Sequence, residues 1–260
     1  MPSPVKEELL PRAFELLSRA ERGEITHTPF LSPAEHLRLQ RALGAREDVY
    51  AFGGYKEAER VRLFFLPPYM TQADEQTRSE WLAPALEETV IPLEIRCSGF
   101  RTLSHRDYLG AILALGIERD ALGDLCVPDA QHAVTFCDRV IAEFLTQTLT
   151  RVANDAVRVT PCTLPQDFDG GRQFRRINDT VASPRADSVV AALANLSRER
   201  AQAIMREGLV EIDYESADKP DRLLCAPCVI VIRGKGKFIL RSVADLTKKG
   251  RYRLVADQYL

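Results

Sequence analysis

Between Val90 and Cys162 the chain alternates apolar runs and helical repeats in an order that few folds accept. Val90–Cys97 reads as a strand. Ser104–Leu115 reads as a helix, opened by the capping box Ser104-His105-Arg106-Asp107 and stopped by Gly116. A strand at Gly123–Val127 then turns through Pro128-Asp129-Ala130 into a second at His132–Cys137. A helix from Arg139 to Ala153 and a strand from Ala156 to Cys162 complete the series β-α-β-β-α-β, the split βαβ order of ferredoxin-like domains. That architecture hosts many functions, RNA binding among them, so the site must be read from side chains.

At 260 residues the chain exceeds a typical domain, and its punctuation divides it further. Residues 1–75 read as a small N-terminal α/β unit. In it, Glu7–Glu21 has helical apolar spacing, and the capping box at Ser32-Pro33-Ala34-Glu35 opens a helix that ends at Gly44. Strands at Asp48–Phe52 and Arg60–Leu66 follow around a glycine turn, and Pro67-Pro68 closes the unit. Residues 76–164 hold the ferredoxin-like unit, 165–182 form a linker carrying Arg172, Arg175 and Arg176, and 183–260 form a third unit. The class is α+β.

The third unit is basic. From Ser183 onward 14 Lys and Arg stand against 10 Asp and Glu, a balance of +4 that leaves −6 on residues 1–182 of a chain whose net charge is −2. From Val229 to Arg253 eight cations face one anion, Asp245. Such a basic segment on an acidic body suits a polyanionic partner. Ser183 can cap a first helix, with Pro184 at its first position; Ser197 can cap a second, with Gly208 as its stop. Val189, Leu193, Ala201 and Ile204 are then inward, against Val210, Ile212, Val229 and Val231. Arg185, Arg198, Arg200 and Arg206 therefore face outward, where guanidinium forks beside a helix N-terminus favour a phosphate. The turn Arg233-Gly234-Lys235-Gly236-Lys237 lacks the spacing of a nucleotide-binding P-loop, so Lys235 and Lys237 read as point charges for phosphates. Lys248 and Lys249 add a second basic turn.

Two further segments carry alternative readings. His105, Arg106 and Tyr108 lie in the first turn of a helix near Arg96 and Arg101: a second RNA surface, or a helix cap made by His105 and Asp107. Gly53–Arg60 presents Tyr55, Lys56 and Arg60 to RNA, or is a tight turn that requires its glycines. Six cysteines are scattered in apolar runs, as expected of reduced thiols. Cys225-Ala226-Pro227-Cys228 has redox or zinc spacing, but no second pair and no nearby His completes a metal site. No catalytic motif and no metal or cofactor signature is present. The longest apolar runs fall far short of the roughly 20 residues of a membrane span. The N-terminus lacks the apolar core of a signal peptide, so a cytoplasmic location without membrane contact is expected.

The segment 183–243 resembles the S4 RNA-binding domain. Three further stretches resemble YlmH-type bacterial proteins: Phe52–Arg60, Ser104–Gly110 with Leu115–Arg119, and Arg233–Phe238. Such proteins have an N-terminal domain, a ferredoxin-like RNA-binding domain and a C-terminal S4 domain. The resemblance implies a non-catalytic RNA-binding protein, and the chain is expected to be monomeric when free. Its partners would be ribosomal RNA or tRNA on the large ribosomal subunit, in rescue or quality control of stalled ribosomes. It places Arg185, Ser197, Arg198, Arg200 and Gln202 on RNA-facing helices. Asp213 stands where the S4 pattern usually has Asn, and Pro227-Cys228 where it usually has Gly-Asp. The alternative is an RNA-modifying enzyme of the pseudouridine synthase or rRNA methyltransferase type, or its accessory subunit, because S4 domains accompany both. The ferredoxin-like unit is short for either machinery.

Overall fold

Helix α1 (Leu9–Ala20) tolerates Pro11 because the proline falls in its first turn, where the missing N–H has no helical partner to lose. After strand β1 (Thr26–His27), Ser32 opens helix α2 (Pro33–Leu43). The Ser32 amide donates to the Glu35 carboxylate at 2.8 Å and the Ser32 hydroxyl accepts from the Glu35 amide, as the capping box predicts. Strands β2 (Val49–Phe52) and β3 (Arg62–Phe65) complete an antiparallel sheet of order β1-β3-β2. All four residues of β3 are buried because the strand is covered on both faces. Leu63 and Phe65 meet Ala13, Leu17 and Leu39 of the two helices; Phe64 meets Phe30 and Phe136.

Pro67-Pro68 does not end the element series. A short helix α3 (Pro68–Thr71) and the longer α4 (Glu75–Thr89) follow, the latter capped by the Asp74 carboxylate. Pro84 inside α4, and a scattered apolar pattern that buries only Leu82 and Thr89, hide this helix from a periodicity reading. Then come β4 (Ile91–Cys97), α5 (His105–Ala114), β5 (Leu122–Cys126), β6 (His132–Cys137), α6 (Arg139–Thr148), β7 (Arg151–Val152) and β8 (Asp155–Pro161). The sheet order is β5-β6-β4-β8-β7. The predicted β-α-β-β-α-β succession is therefore present, with one addition: α6 stops five residues early. Arg151–Val152 pairs instead with Ala156 and Asp155 as a hairpin through Ala153, whose φ is 50°. Leu93, Ile95, Tyr108, Ile112, Ala142 and Leu145 form the core between this sheet and α5 and α6.

The structure describes residues 8–248 and 250–260. They fall into two compact units that divide between Gly171 and Arg172. The segments 1–75 and 76–164 thus share one unit rather than forming two. The physical reason is a joint aromatic cluster: Phe30, Tyr55 and Phe64 from the first segment enclose Val134 and Phe136 from the second. Each such side chain contributes about 1.5–3 kcal/mol on burial. Among the described residues no helix is long and apolar enough to cross a membrane.

In the second unit, strand β9 (Phe174–Val181) lies within the segment 165–182 read as a linker. It is an edge strand whose residues are mostly exposed, which explains its polar sequence; it pairs with the last strand from Val181↔Tyr252 to Phe174↔Tyr259. Helices α7 (Ala186–Ala194) and α8 (Arg198–Arg206) precede β10 (Val210–Ile212), β11 (Glu215–Ser216), β12 (Cys228–Ile232), β13 (Gly236–Leu246) and β14 (Tyr252–Tyr259). The six strands run in the order β11-β10-β12-β13-β14-β9.

Two expectations about this unit need correction. Ser183 does not cap α7: Arg185 occupies the cap position. The Ala186 and Asp187 amides donate to the backbone carbonyls of Arg222 (2.8 Å) and Pro220 (3.0 Å), so a neighbouring loop satisfies the helix end. Nor are Val229 and Val231 in the core. Cys228, Ile230 and Ile232 are buried under the helices with Val189, Leu193, Ala201, Ile204, Val210 and Ile212. Val229 and Val231 are half-buried on the opposite face. Because β12 is apolar at every position, its pattern cannot set the phase, and a one-residue slip exchanges the faces.

Candidate nucleic-acid interface

The second unit gathers three of the predicted contact residues around an acid that the sequence reading passed over. Asp187, in the first turn of α7, has 0% exposure. Its carboxylate accepts from Arg198 Nε at 2.9 Å and Gln202 Nε2 at 2.8 Å, and from Arg185 Nε at 3.3 Å and Nη2 at 3.4 Å. Burial alone pushes this carboxyl up. The hydrogen bonds from Arg185, Gln202 and Arg198 outweigh it and hold the group down at about 2. The donors themselves reach solvent, the Arg198 side chain being 53% exposed and that of Arg185 34%. A guanidinium has five N–H donors, so one Nε bond leaves Arg198 able to bind a second acceptor with its plane already fixed. The signal available beforehand was the spacing: an Asp two residues after Arg185, on a helix otherwise apolar from Val189 to Ala194.

Ser197 caps α8 by accepting the Arg200 amide at 3.2 Å. Arg200 reaches Glu207 at 3.6 Å along the same helix, both side chains about half exposed, a weak surface pair. Arg206 lies exposed in the last turn. The Arg233–Lys237 turn joins β12 to β13 and adjoins the end of α8, because the Arg233 amide donates to the Leu209 carbonyl at 2.9 Å. Arg233 and Lys235 are exposed, and Lys237 holds its ammonium 4.6 Å from the Tyr259 ring centroid and 5.7 Å from that of Tyr214.

Lys248 is exposed in the turn at the far end of β13. An eleven-residue strand separates it from Lys235, roughly 30 Å at about 3.3 Å per residue. The two basic turns therefore cannot share one phosphate. Lys249 lies outside the described residues.

The second predicted surface is largely dismantled. Tyr108 has 0% exposure and belongs to the core under α5, so it cannot contact RNA; it turns inward because Ser104 and Asp107 fix the start of the helix. Asp107 accepts from the Ser104 amide at 2.9 Å and its hydroxyl at 2.7 Å, and these bonds lower its carboxyl. His105 and Arg106 remain exposed beside Arg101, whereas Arg96 is paired with Glu94 at 2.8 Å.

The Gly53–Arg60 loop is a structural joint. Tyr55 is buried, its hydroxyl donating to Asp124 at 2.7 Å and its ring stacked on Phe136 with centroids 5.5 Å apart. The same carboxylate accepts the Glu59 and Arg60 amides at 2.8 and 3.0 Å. Arg60 spends its guanidinium on the carbonyls of Leu122, Phe30 and Arg119 at 2.9–3.0 Å. A Cβ on Gly53 would strike the Arg60 carbonyl, and one on Gly54 the Phe136 ring. Of the three residues read as RNA contacts here, only Lys56 is exposed.

Cys225 is exposed and Cys228 buried, both as free thiols. Burial pushes the Cys228 thiol up to about 12, which disfavours the thiolate that redox chemistry and zinc binding require. Asp213, in a left-handed turn at φ 52°, accepts the Val229 amide at 3.0 Å, so its carboxylate serves as the acceptor that an Asn oxygen would supply.

Fold and side chains together define an α+β protein whose second unit presents guanidinium groups pre-ordered on a buried carboxylate. The chain is a YlmH-type protein. Residues 6–70 match the family described as "YlmH, N-terminal", and residues 90–166 match "Putative RNA-binding domain in YlmH". It is similar to "Ribosome-associated protein quality control protein P2" of Bacillus subtilis (strain 168), 28% identical over 241 residues, spanning 92% of this chain and 89% of that protein. Among solved structures it is similar to "Cell division protein ylmH from Streptococcus pneumoniae", 20% identical, with a TM-score of 0.48 over 65% of this chain and 98% of that one.

Proposed function

We propose that this is a non-catalytic, cytoplasmic RNA-binding protein, monomeric when free. It recognises structured ribosomal RNA or tRNA on the large ribosomal subunit during rescue or quality control of stalled ribosomes. The observation that carries the reading is the buried Asp187 carboxylate, which orders Arg185, Arg198 and Gln202 on an exposed helix face. Pre-ordering lowers the entropy lost when a flexible cation binds a phosphate. The match of residues 90–166 to an RNA-binding family segment and the name of the Bacillus subtilis relative support it independently of that cluster. In this reading residues 183–260 act as an S4-type domain and read RNA mainly by shape and phosphates.

Co-sedimentation with purified large subunits at moderate salt is the test. Wild-type protein should pellet with the subunits, and Arg198→Glu and Lys235→Glu should each shift it to the supernatant. Pelleting unchanged in both variants would sink the proposal. Mapping modified nucleotides in the same RNA after incubation separates it from an RNA-modifying enzyme, since any stoichiometric new modification would reverse the ranking.

A further inference from the structure

In the second unit α7 and α8 cover one face of the six-stranded sheet, and the strand register defines what lies on the other. Val231 pairs with Lys237, and Phe174 with Tyr259. Phe238↔Gln258 places Lys237 opposite Tyr259 as well. One row thus crosses four strands as Val231, Lys237, Tyr259, Phe174. The adjacent row is Val229, Ile239, Asp257, Arg176.

The Phe174 end of this face has the composition of a stacking platform. Phe174 is 39% exposed, and its ring meets Tyr259 at 4.8 Å between centroids and 66° between planes. The Lys237 ammonium sits 4.6 Å from the Tyr259 centroid. In the next row the buried Asp257 carboxylate holds Arg176 and Arg241, each at 2.8 Å, on exposed side chains. That repeats on the sheet what Asp187 does at the helices: one buried acid fixes two guanidinium planes while leaving an excess of positive charge. An ordinary solvated sheet face has no need of an exposed Phe174 packed on a half-buried Tyr259 beside ordered cations.

The geometry points to a second RNA site on this open face, taking an unpaired nucleotide. The base stacks on Phe174 beside Tyr259, and Lys237 and Arg176 meet the flanking phosphates. Stacking is sequence-tolerant, because every base has a π-face, and strands a few ångströms apart can seat base and backbone side by side. An apolar protein partner fits less well, since the aromatic end is bordered by Lys237, Arg176 and Arg241. The inference rests on the reading of the protein as an RNA binder but uses the face opposite the Asp187 cluster, so the two can fail separately.

The experiment is fluorescence anisotropy with full-length protein and two probes: an unstructured 12-nucleotide RNA, and a fully paired RNA hairpin closed by a stable tetraloop. Phe174→Ala should weaken the single strand roughly tenfold, the scale of one stacked base. Phe174→Leu should do the same while preserving bulk, and Phe174→Trp should restore affinity. None of the three should alter hairpin binding by more than about twofold, whereas Arg198→Glu should weaken the hairpin. Unchanged single-strand affinity in Phe174→Leu and Lys237→Gln overturns the site. So does a wild-type protein that binds the hairpin and not the single strand, which leaves the proposed function standing. Binding of neither probe overturns both. Loss of ribosome co-sedimentation in Phe174→Leu with both RNA affinities intact makes the face a protein-binding surface and overturns the RNA site.

Discussion

Asp187 Oδ2 lies 2.9 Å from Arg198 Nε, and the acid has no solvent exposure while the arginine is half exposed. One partner of the pair is thus committed to the fold and the other to the surface. Removing the acid should therefore damage both. Asp187→Ala is expected to lower the stability of the second unit by roughly 1.5–3 kcal/mol, the scale of hydrogen bonds to a charged group. It should weaken structured-RNA binding as well, because Arg185 and Arg198 lose their fixed orientation. Urea unfolding followed in parallel with an RNA titration checks this. Full affinity in a folded Asp187→Ala protein would remove the ordering argument.

The same acid sets a pH dependence. Its carboxyl is held at about 2 in the folded state, whereas an unfolded Asp titrates near 3.9. A depressed folded value contributes stability that is fully present above about pH 4 and is lost as the pH falls toward 2. The unfolding midpoint of the wild-type protein should drop across that window, and the Asp187→Asn profile should be flatter there. Equal slopes in the two proteins would show that other carboxylates dominate.

Tyr108 buries a hydroxyl that makes no well-formed hydrogen bond and has only the Cys97 thiol, a weak partner, beside it. A buried polar group so poorly satisfied is a liability. Tyr108→Phe should leave stability unchanged or raise it by up to about 1 kcal/mol, with RNA affinity unaltered. Differential scanning calorimetry decides it: a marked loss of stability would mean the hydroxyl is satisfied in solution.

Gly54 combines φ 101° with a Cβ position that falls on the Phe136 ring. Gly54→Ala should destabilise the first unit by about 2 kcal/mol or more, from backbone strain and from displacing the stacked Tyr55. Lys56→Ala, in the same loop but exposed, is expected to change stability by no more than about 0.5 kcal/mol. Thermal melts of the two proteins should therefore diverge.

Sequence patterns located elements where punctuation and periodicity agreed. The capping boxes at Ser32 and Ser104 sit where predicted, and so does strand His132–Cys137. They failed where a signal had no phase or no contrast. The uniformly apolar Cys228–Ile232 could not say which of its faces is inward, and β9 looked like a linker because an exposed edge strand need not be apolar. At the candidate site, cations near glycines and helix starts were legible. Which of them are structural was not, because that depends on contacts distant in sequence. Arg60 is taken up by the carbonyls of Phe30, Arg119 and Leu122. Asp187 drew no attention because an acid is not expected at the centre of a cationic surface.

The joint between Gly53–Arg60 and Asp124 has a consequence for how such a chain can be inherited. Two family segments meet this sequence at 6–70 and 90–166, as though each were a portable module. Yet Phe30, Tyr55 and Phe64 of the first share one buried cluster with Val134 and Phe136 of the second. A recombination event separating them would leave both halves with exposed aromatic surface and a prospect of aggregation. The two modules should therefore transfer to another chain together far more readily than either does alone.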